Sequence, residues 1–89
     1  MNEISYTVTI GSSAQREIKL LDHAVRFRII KALRRLGDPR PAGCLKLTGS
    51  NDLWRIRVGD WRILYRIADE EREVFVVGVR HRSAPGGCN

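Results

Sequence analysis

The sequence has few of the residues that bind metals or form disulfides. Its 89 residues include two cysteines, Cys44 and Cys88, and two histidines, His23 and His81. A structural metal site needs about four ligands at characteristic spacings, and these four residues are scattered. We therefore expect no metal site and no cofactor, and free thiols rather than a disulfide in a reducing compartment.

Long apolar runs are also missing. No stretch approaches the ~20 residues that a membrane-spanning helix needs, and the opening MNEISYTVTI lacks the basic and apolar regions of a signal peptide. We therefore expect a cytoplasmic protein with no membrane partner. The length suits a single domain, predicted over 1–83, with a flexible tail of small residues over 84–89.

Acidic residues are scarce compared with basic ones. Ten Asp and Glu stand against sixteen Lys and Arg, which gives a formal net charge of +6. Such an excess on a small surface indicates nucleic acid, an acidic protein or an anionic membrane as partner. Thirteen of the sixteen basic residues are arginines, whose planar guanidinium groups suit phosphate better than the point charge of lysine.

Periodicity predicts an α+β domain in the order β-α-α-β-β-β. An alternating strand is expected from about Glu3 to Thr9, then a helix that begins in a Ser12–Gln15 capping box, then a second helix capped by Asp22 and ended by Gly37. Extended segments follow over Leu45–Leu47, Leu53–Val58, Trp61–Ala68 and Val74–Arg82. The apolar faces predict a helical pair packed on one face of a mostly antiparallel four-stranded sheet.

The stretch DLWRIRVGDWRILYRI has the pattern of a β-hairpin. Its two-residue loop, Gly59-Asp60, has glycine first and fits a type II′ turn. In that register Arg57 lies directly opposite Arg62. One face is apolar and is assigned to the core: Trp54, Ile56, Val58, Trp61, Ile63 and Tyr65. The other face carries Leu53, Arg55, Arg57, Arg62, Leu64 and Arg66.

The last strand is assigned to the two faces by side-chain size. Its larger residues, Phe75, Val77 and Val79, are predicted to face the core, so that Gly78 leaves room on the outer face for a ligand to approach. Arg80 then lies beside Arg62. The outer face is thus predicted to present one basic patch: Arg55, Arg57, Arg62, Arg66, Arg80 and Arg82.

This predicted patch has two interpretations. Like charges directly opposite each other destabilise a sheet, so the arginines indicate a polyanionic ligand that neutralises them. The alternative is a solvated polar face, which open antiparallel sheets commonly have.

The second helix also has two interpretations. Its basic residues are typical of a solvated face. Phe27 and Ile30, however, lie outside its apolar stripe and suit a partner segment with acidic and apolar residues.

The segments Pro39–Ile67 and Val74–Arg82 resemble the RelE toxin family within the RelE/ParE superfamily of toxin–antitoxin systems. LWRIRVGDWRILY and VFVVGVRHR carry the resemblance, and the predicted element order agrees with it. The resemblance implies a metal-independent endoribonuclease that binds mRNA and small-subunit RNA in the ribosomal A site, cuts the mRNA there and so inhibits translation and growth. It also implies a cognate acidic antitoxin, which binds the toxin in a hetero-oligomer.

The resemblance also implies roles for individual residues. In the family a ribose 2′-hydroxyl attacks the adjacent phosphate, and Arg62 and Arg80 match the arginines that stabilise the transition state. Arg55 and Arg57 fall where relatives carry lysine or other basic residues, and complete the expected catalytic set. Further contacts with RNA or the ribosome are expected from Lys46, Arg66, Arg82 and His81.

Two departures from the family pattern concern proton transfer. A guanidinium is a poor general base, and Gly86 stands where relatives have a tyrosine after the last strand. Histidine is the side-chain type suited to proton transfer near neutral pH, but alternation turns His81 to the core side, where a structural role competes with a catalytic one. Two alternatives to the nuclease therefore stay open: a ParE-like inhibitor of DNA gyrase that acts by binding, and a degenerate relative that binds without catalysis.

Overall fold

The computed structural model describes residues 5–47, 49 and 52–82. The predictions for Glu3, Gly86 and the tail over 84–89 lie outside these residues. The elements are β1 (Thr7–Ile10), α1 (Ser12–Lys19), α2 (His23–Arg34), a 3₁₀ turn (Arg35–Gly37), β2 (Leu45–Lys46), β3 (Leu53–Val58), β4 (Trp61–Ala68) and β5 (Glu73–His81). No helix among the described residues is both long and apolar enough to span a bilayer.

The sheet has five strands in the order β1-β5-β4-β3-β2 and is mixed. The α+β class and the helical pair are confirmed, but the prediction of four strands is wrong. The short segment at Leu45 is a fifth strand, because Leu45 and Lys46 pair with Arg55 and Trp54. The first strand lies at the other edge, parallel to β5. Alternation within a strand says nothing about its neighbours, so the sequence could not reveal this order.

The core lies between the two helices and one face of the sheet. The helices contribute seven buried side chains: Ala14, Ile18, Leu21, Ile29, Ala32, Leu33 and Leu36. Val25, also predicted for the apolar stripe of the second helix, is only partly buried and packs against this core. The sheet contributes Ile63 and Tyr65, each with no exposed surface. Full burial of a side chain of this size stabilises the fold by roughly 1.5–3 kcal/mol. The buried Tyr65 hydroxyl is satisfied because it donates to the Pro39 carbonyl oxygen at 2.9 Å.

Of the predicted helix ends, only the N-terminus of α2 agrees with the structure. Asp22 is its N-cap, and a side-chain oxygen accepts from the Val25 N–H at 3.1 Å. The Ser12–Gln15 capping box is wrong: the N-cap of α1 is Gly11, and the Gln15 amide donates instead to the Ile10 carbonyl oxygen. The prediction that Gly37 follows the helix as C′ is also wrong, because the chain continues through it as a 3₁₀ turn.

The central hairpin has the predicted register in every pair. Trp54 lies opposite Tyr65, Ile56 opposite Ile63, and Arg57 opposite Arg62. Gly59 has φ of 61°, the left-handed value that the first position of a type II′ turn requires and that glycine adopts without strain. The turn therefore fixes which residues face the helices and which face away.

The last strand departs from its predicted facing at a β-bulge. Leu64 pairs with Gly78, but the next residue, Tyr65, pairs with Val76, so Val77 is an extra residue. A bulge of this kind reverses the alternation on one side of it. Val74 and Val76 are therefore buried in the core, and Phe75 lies on the outer face, 39% exposed. The prediction that Phe75 and Val77 face the core is wrong, and only Val79 of that set is a core residue.

An exposed polar cluster joins the loop after the 3₁₀ turn to the turn between β4 and β5. Arg40 makes two hydrogen bonds to the Asp69 carboxylate, at 3.2 and 3.0 Å, and the Tyr6 hydroxyl donates to the same group at 2.7 Å. The hydrogen bonds from Arg40 and then Tyr6 lower the pKa of Asp69. The Arg40 guanidinium also lies 5.1 Å from the centroid of the Trp54 ring, a cation–π distance.

Candidate nucleic-acid interface

Three arginines lie side by side across the outer face of the sheet. Arg57 of β3 pairs with Arg62 of β4, and Arg62 pairs with Arg80 of β5. We call these three residues the arginine row. Directly paired positions on antiparallel strands place their Cβ atoms roughly 4.5–5.5 Å apart. Three positive charges therefore start from neighbouring positions and project to the same side, as the sequence predicts for Arg62 and Arg80.

Arg55 lies next to the row on the same face, in register with Leu64. Burial, and after it the positive charges of Arg57 and Arg62, lower the pKa of Arg55. A lowered arginine pKa means that the charged form is penalised by its surroundings. An anion bound beside these residues would remove part of that penalty, so the local electrostatics favour a phosphate ligand.

The remaining outer-face arginines have carboxylate partners from outside the strands. Arg66 lies 3.4 Å from Asp52, and Arg82 lies 3.8 Å from Asp60 in the hairpin turn. The side chains of both pairs are at least half exposed, and exposed ion pairs of this kind are weak. Arg66 and Arg82 therefore border the arginine row, but with their charge partly balanced.

Arg80 is surrounded by Glu17 and Gly78. Its Nη1 atom lies 2.5 Å from Oε2 of Glu17, a residue of α1. The room predicted above Gly78 is occupied by this same guanidinium: a Cβ atom at position 78 would lie 2.6 Å from Nη1 of Arg80. The expectation that Gly78 leaves space for a ligand is thus wrong in one respect, since the space is filled by Arg80 itself.

Two predicted contacts lie away from the arginine row. Lys46 pairs with Trp54, so it belongs to the side of the sheet that faces the helices. His81 pairs with Trp61 on the same side, and the two rings meet edge to face with centroids 5.0 Å apart. Alternation correctly predicts the facing of His81. For Lys46 no pairing partner could be predicted from the sequence, and therefore neither could its side of the sheet.

Exposed apolar side chains accompany the arginines. Phe75 pairs with Arg66, and Leu45, half exposed, pairs with Arg55. The outer face therefore combines positive charge with apolar and aromatic surface. Single-stranded nucleic acid is bound by surfaces of this composition, because bases stack on aromatic rings while the backbone contacts basic groups.

The second surface that the sequence singled out lies on α2. Phe27 is 64% exposed and Ile30 is 37% exposed. The Lys31 ammonium lies 5.9 Å from the centroid of the Phe27 ring. We call Phe27 and Ile30 the α2 surface. Their exposure agrees with the predicted apolar pair outside the core stripe, next to basic side chains.

The described residues include no group of three or more His, Cys, Asp or Glu side chains that could hold a metal ion. Cys44 is a free thiol. The chemistry available at the arginine row is electrostatic: guanidinium groups bind phosphate oxygens with paired hydrogen bonds and stabilise negative charge that develops on them. A guanidinium is a poor general base, so the row offers charge rather than proton transfer.

Sequence reasoning missed Glu17. Its hydrogen-bonding partners are 62 and 63 residues away, at Val79 and Arg80, and only the fold brings them together. The one available signal was that Glu17 is the single acid among the eight residues of α1. It adjoins the apolar face that carries Ile18, so its side chain starts near the sheet.

Comparison with known proteins agrees with this geometry. The model of the ParE toxin of type II toxin–antitoxin systems matches residues 8–85. A RelE-like toxin protein of Escherichia coli is 30% identical over 79 residues, which is 86% of this chain and 83% of that protein.

Two solved complexes contain chains of the same fold. A chain of the RelBE2 toxin–antitoxin complex of Mycobacterium tuberculosis has a TM-score of 0.79 and 27% identity, covering 89% of this chain and 100% of that one. The intact RelBE complex of Escherichia coli has a TM-score of 0.76 and 28% identity, covering 90% and 100%. Sequence motif, fold and relatives agree, and the chain belongs to the RelE/ParE superfamily of type II toxin–antitoxin toxins.

Proposed function

We propose that this toxin is a ribosome-dependent endoribonuclease that cuts mRNA in the A site. The observation that carries the proposal is the arginine row, in which Arg57, Arg62 and Arg80 occupy directly paired positions on three adjacent strands. Paired like charges cost folding free energy, and a bound RNA backbone offsets that cost. The RelE-like relative and the RelE structures support the same reaction class.

The proposed reaction is a phosphoryl transfer within the RNA. The 2′-oxygen of a ribose releases its proton to water and attacks the adjacent phosphorus. The bond from phosphorus to the 5′-oxygen of the next nucleotide breaks, and that oxygen takes up a proton from water, which leaves a 2′,3′-cyclic phosphate and a 5′-hydroxyl. Negative charge accumulates on the non-bridging oxygens in the transition state. Arg62 and Arg80 stabilise that charge from fixed positions, and Arg55 and Arg57 hold the flanking phosphates. Preorganised charge of this kind is commonly the largest catalytic contribution.

Proton transfer distinguishes this chain from a lysine-containing relative. The arginines stay protonated at neutral pH, so they do not remove the 2′-hydroxyl proton. We therefore propose that charge stabilisation and in-line positioning supply most of the rate enhancement. Lys46 and His81, which lie on the other side of the sheet, contact the ribosome rather than the reacting phosphate.

The proposed protein partner is an acidic antitoxin. Structures similar to this chain were solved in toxin–antitoxin complexes, and the net charge of +6 favours an acidic ligand. We assign the α2 surface to this contact, because an amphipathic acidic segment would cover Phe27 and Ile30 and meet the basic side chains around them. Calorimetry with the antitoxin should show about tenfold or greater weakening for Phe27→Asp, whereas Arg62→Ala should bind normally.

Primer extension on a defined mRNA in a translating extract tests the nuclease directly. We expect discrete cuts within A-site codons with the wild-type protein and none with Arg62→Ala. Arg34→Ala, an exposed change on α2 that alters the net charge equally, serves as the matched control and should cut normally. Cuts that persist in Arg62→Ala would refute the assignment of the row.

A second candidate function is inhibition of DNA gyrase by protein binding. It is favoured by the family model that matches residues 8–85, which is that of the ParE toxin, and by arginines at positions 55 and 57 where lysines are expected in a nuclease. Intact mRNA together with inhibition of gyrase supercoiling would establish this function in place of the nuclease. Intact mRNA and uninhibited gyrase would identify a degenerate relative.

A further inference from the structure

Glu17 makes two separate contacts at the point where β1 no longer covers the edge of β5. Pairing of β1 with β5 ends at Ile10 and Val76, and α1 starts two residues later. One carboxylate oxygen of Glu17 accepts from the Val79 backbone N–H at 2.8 Å. The other lies 2.5 Å from Nη1 of Arg80. The backbone contact holds the carboxylate in place, so the contact with Arg80 is made from a fixed point.

Gly78 completes the site for the Arg80 guanidinium. The guanidinium lies over Gly78, where a Cβ atom would be 2.6 Å from Nη1 and 3.1 Å from Cζ. Any larger residue at position 78 would therefore displace it. Glu17 from one side and the missing side chain of Gly78 from below together determine where the Arg80 fork lies.

The contact with Glu17 leaves most of the fork available. A guanidinium has five N–H donors on three nitrogens, and the contacts with Glu17 and with the Val79 carbonyl oxygen both use Nη1. Within the described residues, Nε and Nη2 of Arg80 make no hydrogen bond. The carboxylate of Glu17 thus holds one nitrogen of the guanidinium and leaves the other two for a phosphate. This arrangement is expected if Glu17 orients Arg80. If Glu17 instead masked Arg80, by occupying its donors and neutralising its charge, fewer nitrogens would be left for RNA.

We infer that Glu17 is a positioning residue, which holds the Arg80 guanidinium in the orientation that stabilises the transition state. The inference rests on the proposed nuclease function. A displaced catalytic group can cost about 10²-fold in rate even when the fold is intact, so the contact of Glu17 with Arg80 contributes to turnover more than to RNA binding.

Glu17→Gln is the direct test. The glutamine side chain is the same size and its oxygen can still accept from the Val79 N–H. Its amide nitrogen then takes the place of the oxygen that faces Arg80, and because this nitrogen donates rather than accepts, the contact with Arg80 is lost. We expect the single-turnover cleavage rate on purified ribosomes programmed with a defined mRNA to fall about tenfold or more. The toxin concentration that gives half the maximal rate should change less than threefold.

Two further variants separate positioning from a structural role. Gly78→Ala moves the guanidinium while leaving Glu17 in place, and the clash falls on the far end of a flexible side chain, so the protein should fold and the rate should fall similarly. In an Arg80→Ala background, Glu17→Gln should have no further effect, because residues that act through one another are not additive. Glu71→Gln, an exposed change of equal charge in the turn between β4 and β5, is the control and should cleave as the wild type does.

The outcomes distinguish the inference from the proposed function. If the wild type cleaves and Glu17→Gln cleaves at the same rate, the inference alone is overturned. The same follows if Glu17→Gln cleaves faster, because Glu17 would then mask Arg80 rather than orient it. The same holds if Glu17→Gln slows cleavage equally in the Arg80→Ala background, since Glu17 would then act elsewhere. A wild-type protein that does not cut ribosome-bound mRNA overturns the proposed function and this inference with it.

Discussion

At the scale of single residues, Arg80 of the arginine row and its neighbour Arg55 have different surroundings. Arg80 is held by Glu17 over Gly78, whereas the pKa of Arg55 is lowered by its own burial and by Arg57 and Arg62. These arginines cannot be treated as interchangeable charges. The oriented Arg80 guanidinium is suited to stabilising charge at one fixed place in the transition state. Arg55 is suited to binding a flanking phosphate, whose negative charge offsets the repulsion from Arg57 and Arg62.

The Asp69 carboxylate leads to a prediction about acid stability. Arg40 and Tyr6 lower its pKa below 3.8 in the folded protein, so its contribution to the free energy of unfolding is fully present above that value and is lost as pH falls through the folded pKa. We expect Asp69→Asn to unfold at a lower temperature than the wild type at pH 6, and the difference to shrink steadily as pH falls below 4. Thermal melts by circular dichroism between pH 2 and 6 measure this.

At the scale of elements, the helix ends give the next prediction. Asp22 caps α2 with its side chain, whereas Ser12 makes no capping hydrogen bond because Gly11 is the N-cap of α1. Asp22→Ala should therefore lower the free energy of unfolding by about 1 kcal/mol. Ser12→Ala, also an exposed position near a helix start, should change it by less than about 0.5 kcal/mol. Urea denaturation compares the two, and equal losses would contradict the assigned caps.

The bulge in β5 gives a prediction that separates the observed register from strict alternation. Val76 has no exposed surface, whereas Phe75 is 39% exposed on the outer face. We expect Val76→Ala to cost about 2 kcal/mol or more of unfolding free energy, and Phe75→Ala to cost less although it removes more atoms. The reverse order in urea denaturation would mean that strict alternation is right and that the bulge is not present.

These elements show what the sequence could and could not predict. The hairpin was predictable because Gly59 and Asp60 form a recognisable turn and because apolar residues alternate with arginine over Trp54–Val58 and Trp61–Ile63. Residues 74–77 are all apolar, so no alternation of polar and apolar residues shows which of them face the core. The extra residue of the bulge could therefore not be recognised in the sequence. The parallel contact of β1 with β5 and the contact of Glu17 with Arg80 depend on residues more than 60 positions apart, which local patterns do not encode.

At the scale of the whole molecule, the two proposed binding surfaces lie on different layers. The arginine row is on the open side of the sheet, and the α2 surface belongs to the helical layer that covers the other side. An RNA ligand and a protein segment on α2 would therefore not compete for the same side chains. On this account, inhibition by an antitoxin requires it to extend beyond α2 or to block access to the ribosome.

The central claim is that the arginine row carries the nuclease chemistry. The most direct measurement is the single-turnover rate of mRNA cleavage on purified, programmed ribosomes for the wild type, Arg62→Ala and the control Arg34→Ala, with each protein's thermal midpoint recorded. We expect a fall of about 10²-fold or more for Arg62→Ala, with the control rate and the midpoints unchanged. Cleavage by Arg62→Ala at the wild-type rate would contradict it.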